Sequence, residues 1–335
     1  MLLTFLYWIS FSSLFIYLYL YIQSQYWKRR NVPGPPTHLL LGNIPELTQE
    51  SKAAWFQLRD WTQEYGNCYG IMEGARRLLI LSDPEKIADV FSKKFEYFHS
   101  RRPNHFVGDV DDMKNQRVHV FSSRGARWKR LRAISTPVVA SSNIRKLFPT
   151  MVDCINVTLE TLESHSNKII DIHVYVKELV MDIVCRVGLG QKETKQFNNE
   201  FVSHFDHFFG QPAHNPVNTL VAIFPTFTGQ IVKYAIKFGA AKMDFINQIY
   251  ANLGKVVSER KQTREKLLRE NSEGKLEMED FIDFFLEAEA SDIAEDTFTE
   301  RKMTLNEIVA NLVAFLVAGY DTTRELNSIE FIFCN

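Results

Sequence analysis

The chain has 335 residues and a net charge of −1, long enough for one large domain or two smaller ones. Apolar residues make up 45% and aromatic residues 13%, with 26 Phe, so a large greasy core is available. The near-neutral balance gives no support for a nucleic-acid partner, and four single cysteines at 68, 154, 185 and 334 carry neither zinc spacing nor a disulfide framework, which suits a reducing compartment.

From Leu2 to Ile22 there is no charged residue. About 20 apolar residues cross a bilayer core. Tyr17, Tyr19, Tyr21, Tyr26 and Trp27 crowd the far end, where amphipathic rings favour the interface, and Lys28-Arg29-Arg30 follow at once. The basic side is the C-terminal side, so the expectation is one uncleaved anchor helix over residues 1–24 with the body in the cytosol. In that compartment the sequon Asn156-Val157-Thr158 stays unglycosylated.

Residues 25–45 form a basic, proline-rich hinge. Pro33-Gly34-Pro35-Pro36 forbids helix and reads as a stiff spacer between anchor and body. An amphipathic helix is expected over 51–65, stopped by Gly66, then two short strands over 67–72 and 76–81 around Gly74. Asp83-Pro84-Glu85 is a helix start. From about Arg127 the pattern is mainly helical. Ile172, Val176, Leu179, Val180, Ile183, Val184 and Val187 make one buried stripe, with Gly188 as its end. Residues 197–250 are rich in Phe. They suit a pocket roof, a membrane contact or plain core packing. His204 and His207 read as a packed or solvated pair rather than a metal site. Gly254-Lys255 and Gly274-Lys275 lack the earlier glycine of a phosphate loop.

Chemistry concentrates near the end. Thr304 and Glu307 are spaced as a capping box. The apolar run Ile308–Tyr320 that follows is broken only by Asn311, and it is too short to span a bilayer. Ala318-Gly319 then removes side-chain bulk beside Asp321-Thr322-Thr323. A small-residue notch next to an acid and a hydroxyl suits a flat cofactor and proton delivery; a helix end reaching solvent fits the same residues. Trp128 and Arg132 are i and i+4 on one helix face, where an indole N–H and a guanidinium can hold carboxylates. A basic surface face explains them too, with Arg124, Arg127, Lys129 and Arg130 around the pair.

Ala318-Gly-Tyr-Asp-Thr-Thr323 resembles the oxygen-activation motif of the cytochrome P-450 family. Pro33-Gly-Pro-Pro36 with Leu41-Gly-Asn43 resembles that family's proline hinge. Phe98-His-Ser-Arg-Arg-Pro103 is similar to the segment before its substrate-covering loop, and Trp128-Lys-Arg-Leu-Arg132 with Thr136-Pro137 to its W-x-x-x-R helix. Glu279-Asp-Phe281 is similar to the run before the central helix. The variants at 98–103 and 128–137 lie nearest the animal drug- and steroid-oxidising clan.

The resemblance implies a mainly α fold with a small β-sheet, and a partial P-450 domain over 46–323. It implies haem-thiolate monooxygenase chemistry on a lipophilic substrate in the endoplasmic reticulum membrane. Electrons would come from NADPH through a reductase, with cytochrome b5 as a possible second donor. Arg101, Trp128 and Arg132 would hold the propionates of haem b and Ala318 would flank the ring. Asp321 and Thr322 would relay protons. Residues 324–335 read as a tail foreign to the family. Glu325 is followed three later by Ser328 rather than Arg, and Cys334 has neither the glycines nor the Arg of the proximal loop, so no metal ligand is expected in this chain. The alternative expectation is a shortened, membrane-bound, non-catalytic fragment without functional haem.

Overall fold

The computed structural model describes residues 2–102, 107–165, 169–209, 215–240, 244–270, 278–290 and 303–333. In chain order the elements are α1 Leu2–Ser24, α2 Ile44–Leu47, α3 Ala54–Tyr65, β1 Cys68–Glu73, β2 Arg76–Leu81, α4 Pro84–Phe91, α5 Phe95–Phe98 and α6 Gly125–Val138. There follow α7 Ser141–Glu163, α8 Ile172–Leu189, α9 Glu200–Phe209, α10 Pro216–Ile223, α11 Thr228–Lys237, α12 Asp244–Glu270, α13 Phe281–Ala290 and α14 Leu305–Phe333. The fold is mainly helical with one small sheet, as expected. It divides into two compact units: Met1–His99 with Gln211–Lys242, and Ser100–Gly210 with Met243–Asn335.

In the first unit, β1 and β2 pair antiparallel with Cys68 opposite Leu81 and Glu73 opposite Arg76. Gly74 turns the hairpin at φ 58°, a conformation that costs glycine little. The small core beneath is Trp61, Tyr69 and Ile71, with Leu58 and Ile80 packed against it. Gly66 ends α3 at φ 86° and Asp83 caps α4 by accepting from the Glu85 and Lys86 amides, both as the sequence predicts. The proline segment departs from the spacer expectation. Pro33 O accepts from Gly70 N at 2.8 Å and Pro36 O from Asn43 Nδ2 at 2.8 Å, so the segment lies along β1. Asn43 is fully buried; its backbone N donates to Met72 O and its side-chain Oδ1 accepts from Met72 N.

α1 is a 23-residue helix without an Asp, Glu, Lys or Arg, about 34 Å long at 1.5 Å per residue. Its rings at Tyr7, Trp8, Phe11, Phe15, Tyr17 and Tyr19 stand exposed. Among the fully described residues, no single helix meets a length-and-hydropathy test for crossing a membrane.

The core of the second unit is built on α14, which packs against α8, α12 and α13, while α7 covers α8 and α13 also meets α6. Ile308, Val309, Ala310, Leu312, Val313, Leu316 and Tyr320 are all buried, so from Ile308 to Val313 this helix is surrounded on nearly every side. That run is what makes it a core helix rather than a surface one. The α8 stripe is buried at Val176, Val180 and Val187, but the helix runs past Gly188 and ends at Gly190, whose φ of 69° forms a left-handed cap. Gly190 also leaves space for a clamp between α12 and α13, in which Arg260 pairs with Asp280 and Asp283, and Arg264 with Asp283 and Glu287. The Asn156 sequon falls inside α7 with the Thr158 hydroxyl buried on Cys154 O and Gln196. Pro103, Gly274-Lys275 and Cys334 lie outside the described residues.

Candidate functional site

The site is organised by one stripe of α14: Glu307, Asn311, Ala318 and Thr322, at steps of four, seven and four. Those spacings place them on one helix face. The stripe begins with the capping box. Thr304 Oγ1 accepts from Glu307 N at 3.2 Å, and Glu307 Oε2 accepts from Thr304 N at 3.1 Å.

The same buried carboxylate receives Arg127 Nε at 3.1 Å and Arg130 at 3.0 and 2.7 Å, which joins α6 to the start of α14. Burial alone would disfavour a charged Glu307. The Arg130 hydrogen bonds, the Thr304 amide and the two guanidinium charges overcome it and hold its carboxyl below the usual range. One turn on, Asn311 is fully buried. Its Oδ1 accepts from Val120 N at 2.9 Å and its Nδ2 donates to Glu307 O at 2.7 Å. The loop 119–121 is therefore pinned over this face. Phe121 stacks with His119, ring centroids 6.4 Å apart, and the Arg101 guanidinium lies 4.3 Å over the Phe121 ring. Among the described residues His119 Nδ1 is buried without a partner, and burial lowers the imidazole to about 4.

Two turns past Asn311 the stripe opens. Ala318 and Thr322 are exposed, although Leu316 and Tyr320 beside them are buried. Thr322 Oγ1 donates back to Ala318 O at 2.7 Å, which leaves its lone pairs facing outward. Asp321 is half-buried. Gly319 does not widen this opening: a Cβ there would meet Val184 at 3.4 Å, so it fits α14 onto α8 instead. Tyr320 faces inward, with its hydroxyl on Asp206 at 3.3 Å and its ring edge-on to Phe205. Of the aromatic 197–250 stretch, Phe205 packs in this core, and His204, exposed, stacks on Phe245 at 4.3 Å.

The basic residues around Trp128 separate into two groups. Arg124 bonds Asp111, and Arg127 and Arg130 are committed to Glu307. Arg132 and Arg101 are exposed, and neither has a carboxylate among the described residues. Trp128, one turn before Arg132, is half-buried. A planar group with two carboxylates fits this set, since Arg101 and Arg132 offer two exposed guanidiniums and α14 offers a small-residue opening at Ala318. Sequence reasoning singled out Arg101, Trp128, Arg132, Ala318, Asp321 and Thr322. It did not foresee the part played by Arg127, Arg130 and Asn311 in holding α6 and the loop over the stripe. The lone polar break in the apolar run at Asn311 was the available signal.

The cytochrome P450 family model matches residues 32–334. The Caenorhabditis elegans cytochrome P450 relatives CYP13A10 and CYP13A1 are each 33% identical, over 326 and 332 residues, or 92% and 93% of this chain. A third, CYP13A5, is 33% identical over 328 residues. The chain spans 61–62% of the length of these relatives. On the family match, the relatives and the ordered motifs together, the chain belongs to the cytochrome P450 family.

Proposed function

We propose that this chain provides the oxygen-side wall and the carboxylate seat of a haem-dependent monooxygenase acting on a lipophilic substrate. The observation that carries the reading is the pair of exposed guanidiniums, Arg101 and Arg132, that lack carboxylates among the described residues, taken with the opening at Ala318 and Thr322 on α14. In this reading Arg101, Trp128 and Arg132 hold the two propionates of haem b, and Ala318 leaves room for its ring. Haem bound with a thiolate supplies the activation of dioxygen; no residue of this chain is assigned as the metal ligand. Thr322, whose own proton is given to Ala318 O, accepts from a water at the opening and orients it. Asp321, half-buried one residue earlier, connects that water to bulk solvent as a proton source.

Electrons come from NADPH through a membrane-bound reductase, with cytochrome b5 as a second donor. The chain sits in the endoplasmic reticulum membrane on α1, with its body in the cytosol. The uncharged 23 residues of α1, followed by Lys28, Arg29 and Arg30, support that anchor.

The test is a haem titration of the purified chain, read by haem absorbance and by quenching of tryptophan emission. Arg132→Ala is expected to weaken binding roughly ten- to a hundredfold, the loss of one charged hydrogen bond of about 1.5–3 kcal/mol. Lys129→Ala should leave it unchanged. Equal weakening by both would reduce the seat to general basicity, and no saturable binding at all would favour the non-catalytic reading.

A further inference from the structure

One side of α7 is covered by the protein. Leu147, Cys154 and Thr158 are buried there, where α7 lies on α8. A surface helix needs one such stripe. A second stripe runs beside it. Phe148, Val152, Ile155 and Leu159 are all exposed, at steps of four, three and four. At about 100° per residue they fall within an arc of about 60°. Ile144 and Leu162, both half-buried, extend the line at its two ends. Pro149 lies off this arc, and α7 continues through it. Single exposed apolar residues need no account, but four aligned on one helix mark a contact face.

The charges beside this stripe suit a second copy of the same helix. Arg145 and Glu163 are both exposed, and at about five turns apart they lie along the same edge of the stripe. Among the described residues the one ion pair made by α7 is Asp153 with Arg186 of α8. The edge therefore carries a cation at one end and an anion at the other. Phe148 and Leu159 share a midpoint with Val152 and Ile155, between Asp153 and Cys154, and Arg145 and Glu163 are centred on Cys154. A two-fold axis at that point, relating antiparallel helices, sets Phe148 on Leu159 and Val152 on Ile155 of the second copy. The same rotation brings Arg145 of each copy to Glu163 of the other. A parallel pair would instead oppose like charges at both ends.

We infer that two copies of this chain associate through α7, antiparallel about a two-fold axis beside residues 153 and 154. Burial of the apolar stripe supplies the attraction, and the Arg145–Glu163 pairs at both ends choose the antiparallel direction. One helix pair is a small interface, so the dimer is a weak, exchanging one. The inference needs neither haem nor membrane.

The experiment uses the full 335-residue chain in a non-ionic detergent, followed by sedimentation equilibrium over about 1–100 µM and by a short bismaleimide cross-linker. Cross-linking is done with Cys68→Ser and Cys334→Ser; Cys154 and Cys185 are buried with thiols pushed up to about 12 and do not compete. Val152→Cys stands about 4.5 Å along the helix from its own copy and is expected to cross-link to it. Glu163→Cys stands about 28 Å from its own copy and is expected not to, whereas a mixture of Arg145→Cys and Glu163→Cys chains should. Glu163→Arg and Arg145→Glu should each weaken association about tenfold, because two exposed pairs become repulsive. The double reversal Arg145→Glu, Glu163→Arg should restore it. Glu163→Cys chains that cross-link to themselves as readily as Val152→Cys chains overturn the antiparallel pairing. Association that ignores the single reversals, or that the double reversal does not restore, overturns it too, as does a chain still monomeric at about 100 µM. A monomer whose Val152→Cys thiol is shielded from maleimide would place another part of this chain on the stripe and overturn the inference as well.

Discussion

Removing the Glu307 carboxylate is the sharpest perturbation the second unit offers. Its side chain is 4% exposed, against 7% for Arg127 and 13% for Arg130. Glu307→Ala takes the carboxylate away from two largely buried guanidiniums and opens the first turn of α14. Breaking a buried pair by deleting one partner costs about 3–5 kcal/mol, a large share of a domain margin of about 5–15 kcal/mol. The triple variant Arg127→Met, Arg130→Leu, Glu307→Leu removes all three charges and should regain most of the loss. Recovery will be incomplete, because Arg127 also donates to Asp112 O and Asn115 O, both at 3.1 Å. Urea unfolding followed by circular dichroism, with the slope held constant, reads the differences from the midpoints. Because the folded Glu307 carboxyl is held below its usual range, its contribution is present above the unfolded value near 4.3. That contribution is lost as pH falls through the lower folded value, so the gap between the wild-type chain and Glu307→Gln should narrow in acid. A Glu307→Ala cost under about 1 kcal/mol, the range of exposed pairs, would refute the reasoning. A triple variant no more stable than the single one would refute it equally.

Two further outcomes can be checked with the same measurements. His119 is held neutral by burial at about 4 against 6.5, so only the unfolded chain takes a proton between those values. Stability should therefore fall as pH drops from about 6.5 towards 4, by at most about 3 kcal/mol since the residue as a whole is only half-buried; parallel pH curves for the wild-type chain and His119→Phe would contradict this. Gly190→Ala puts a Cβ at φ 69°, 2.8 Å from Asp280 Oδ2 and 3.1 Å from the Arg260 guanidinium. It should cost about 1–2 kcal/mol from the backbone alone, plus a disturbed α12–α13 clamp, and an unshifted thermal midpoint would rule that out.

What could be read in the sequence was largely what short spacing controls. The capping box at Thr304 and Glu307, the cap at Asp83, the stop at Gly66 and the hairpin around Gly74 all depend on residues within a few positions of one another. Errors arose where a distant partner decides. Gly188 and Gly190 are equally plausible stops for α8, and the left-handed cap falls at the one that Asp280 and Arg260 crowd. Gly319 looked like part of the cofactor notch because it neighbours Ala318, yet a helix turns about 100° between them, and Gly319 meets α8. Arg127 and Arg130 looked like surface charge because their acid lies far along the chain. Pro33-Gly34-Pro35-Pro36 looked like a spacer because strand pairing to Gly70 leaves no local trace.

The Glu307 junction also bears on how the protein is made. Arg127 and Arg130 are separated from their carboxylate by 180 and 177 residues. At roughly 5–20 residues per second, a nascent chain carries those two guanidiniums for about 10–35 s before Glu307 is synthesised. Until then α6 has no acid to bury against, and the loop from 119 to 121 has no Asn311 to close on. The second unit therefore waits for α14, while the hairpin and α3 of the first have their partners within the first 81 residues. For ribosome-bound chains, protease protection of the α6 region should appear only in nascent chains long enough to free residue 311 from the exit tunnel.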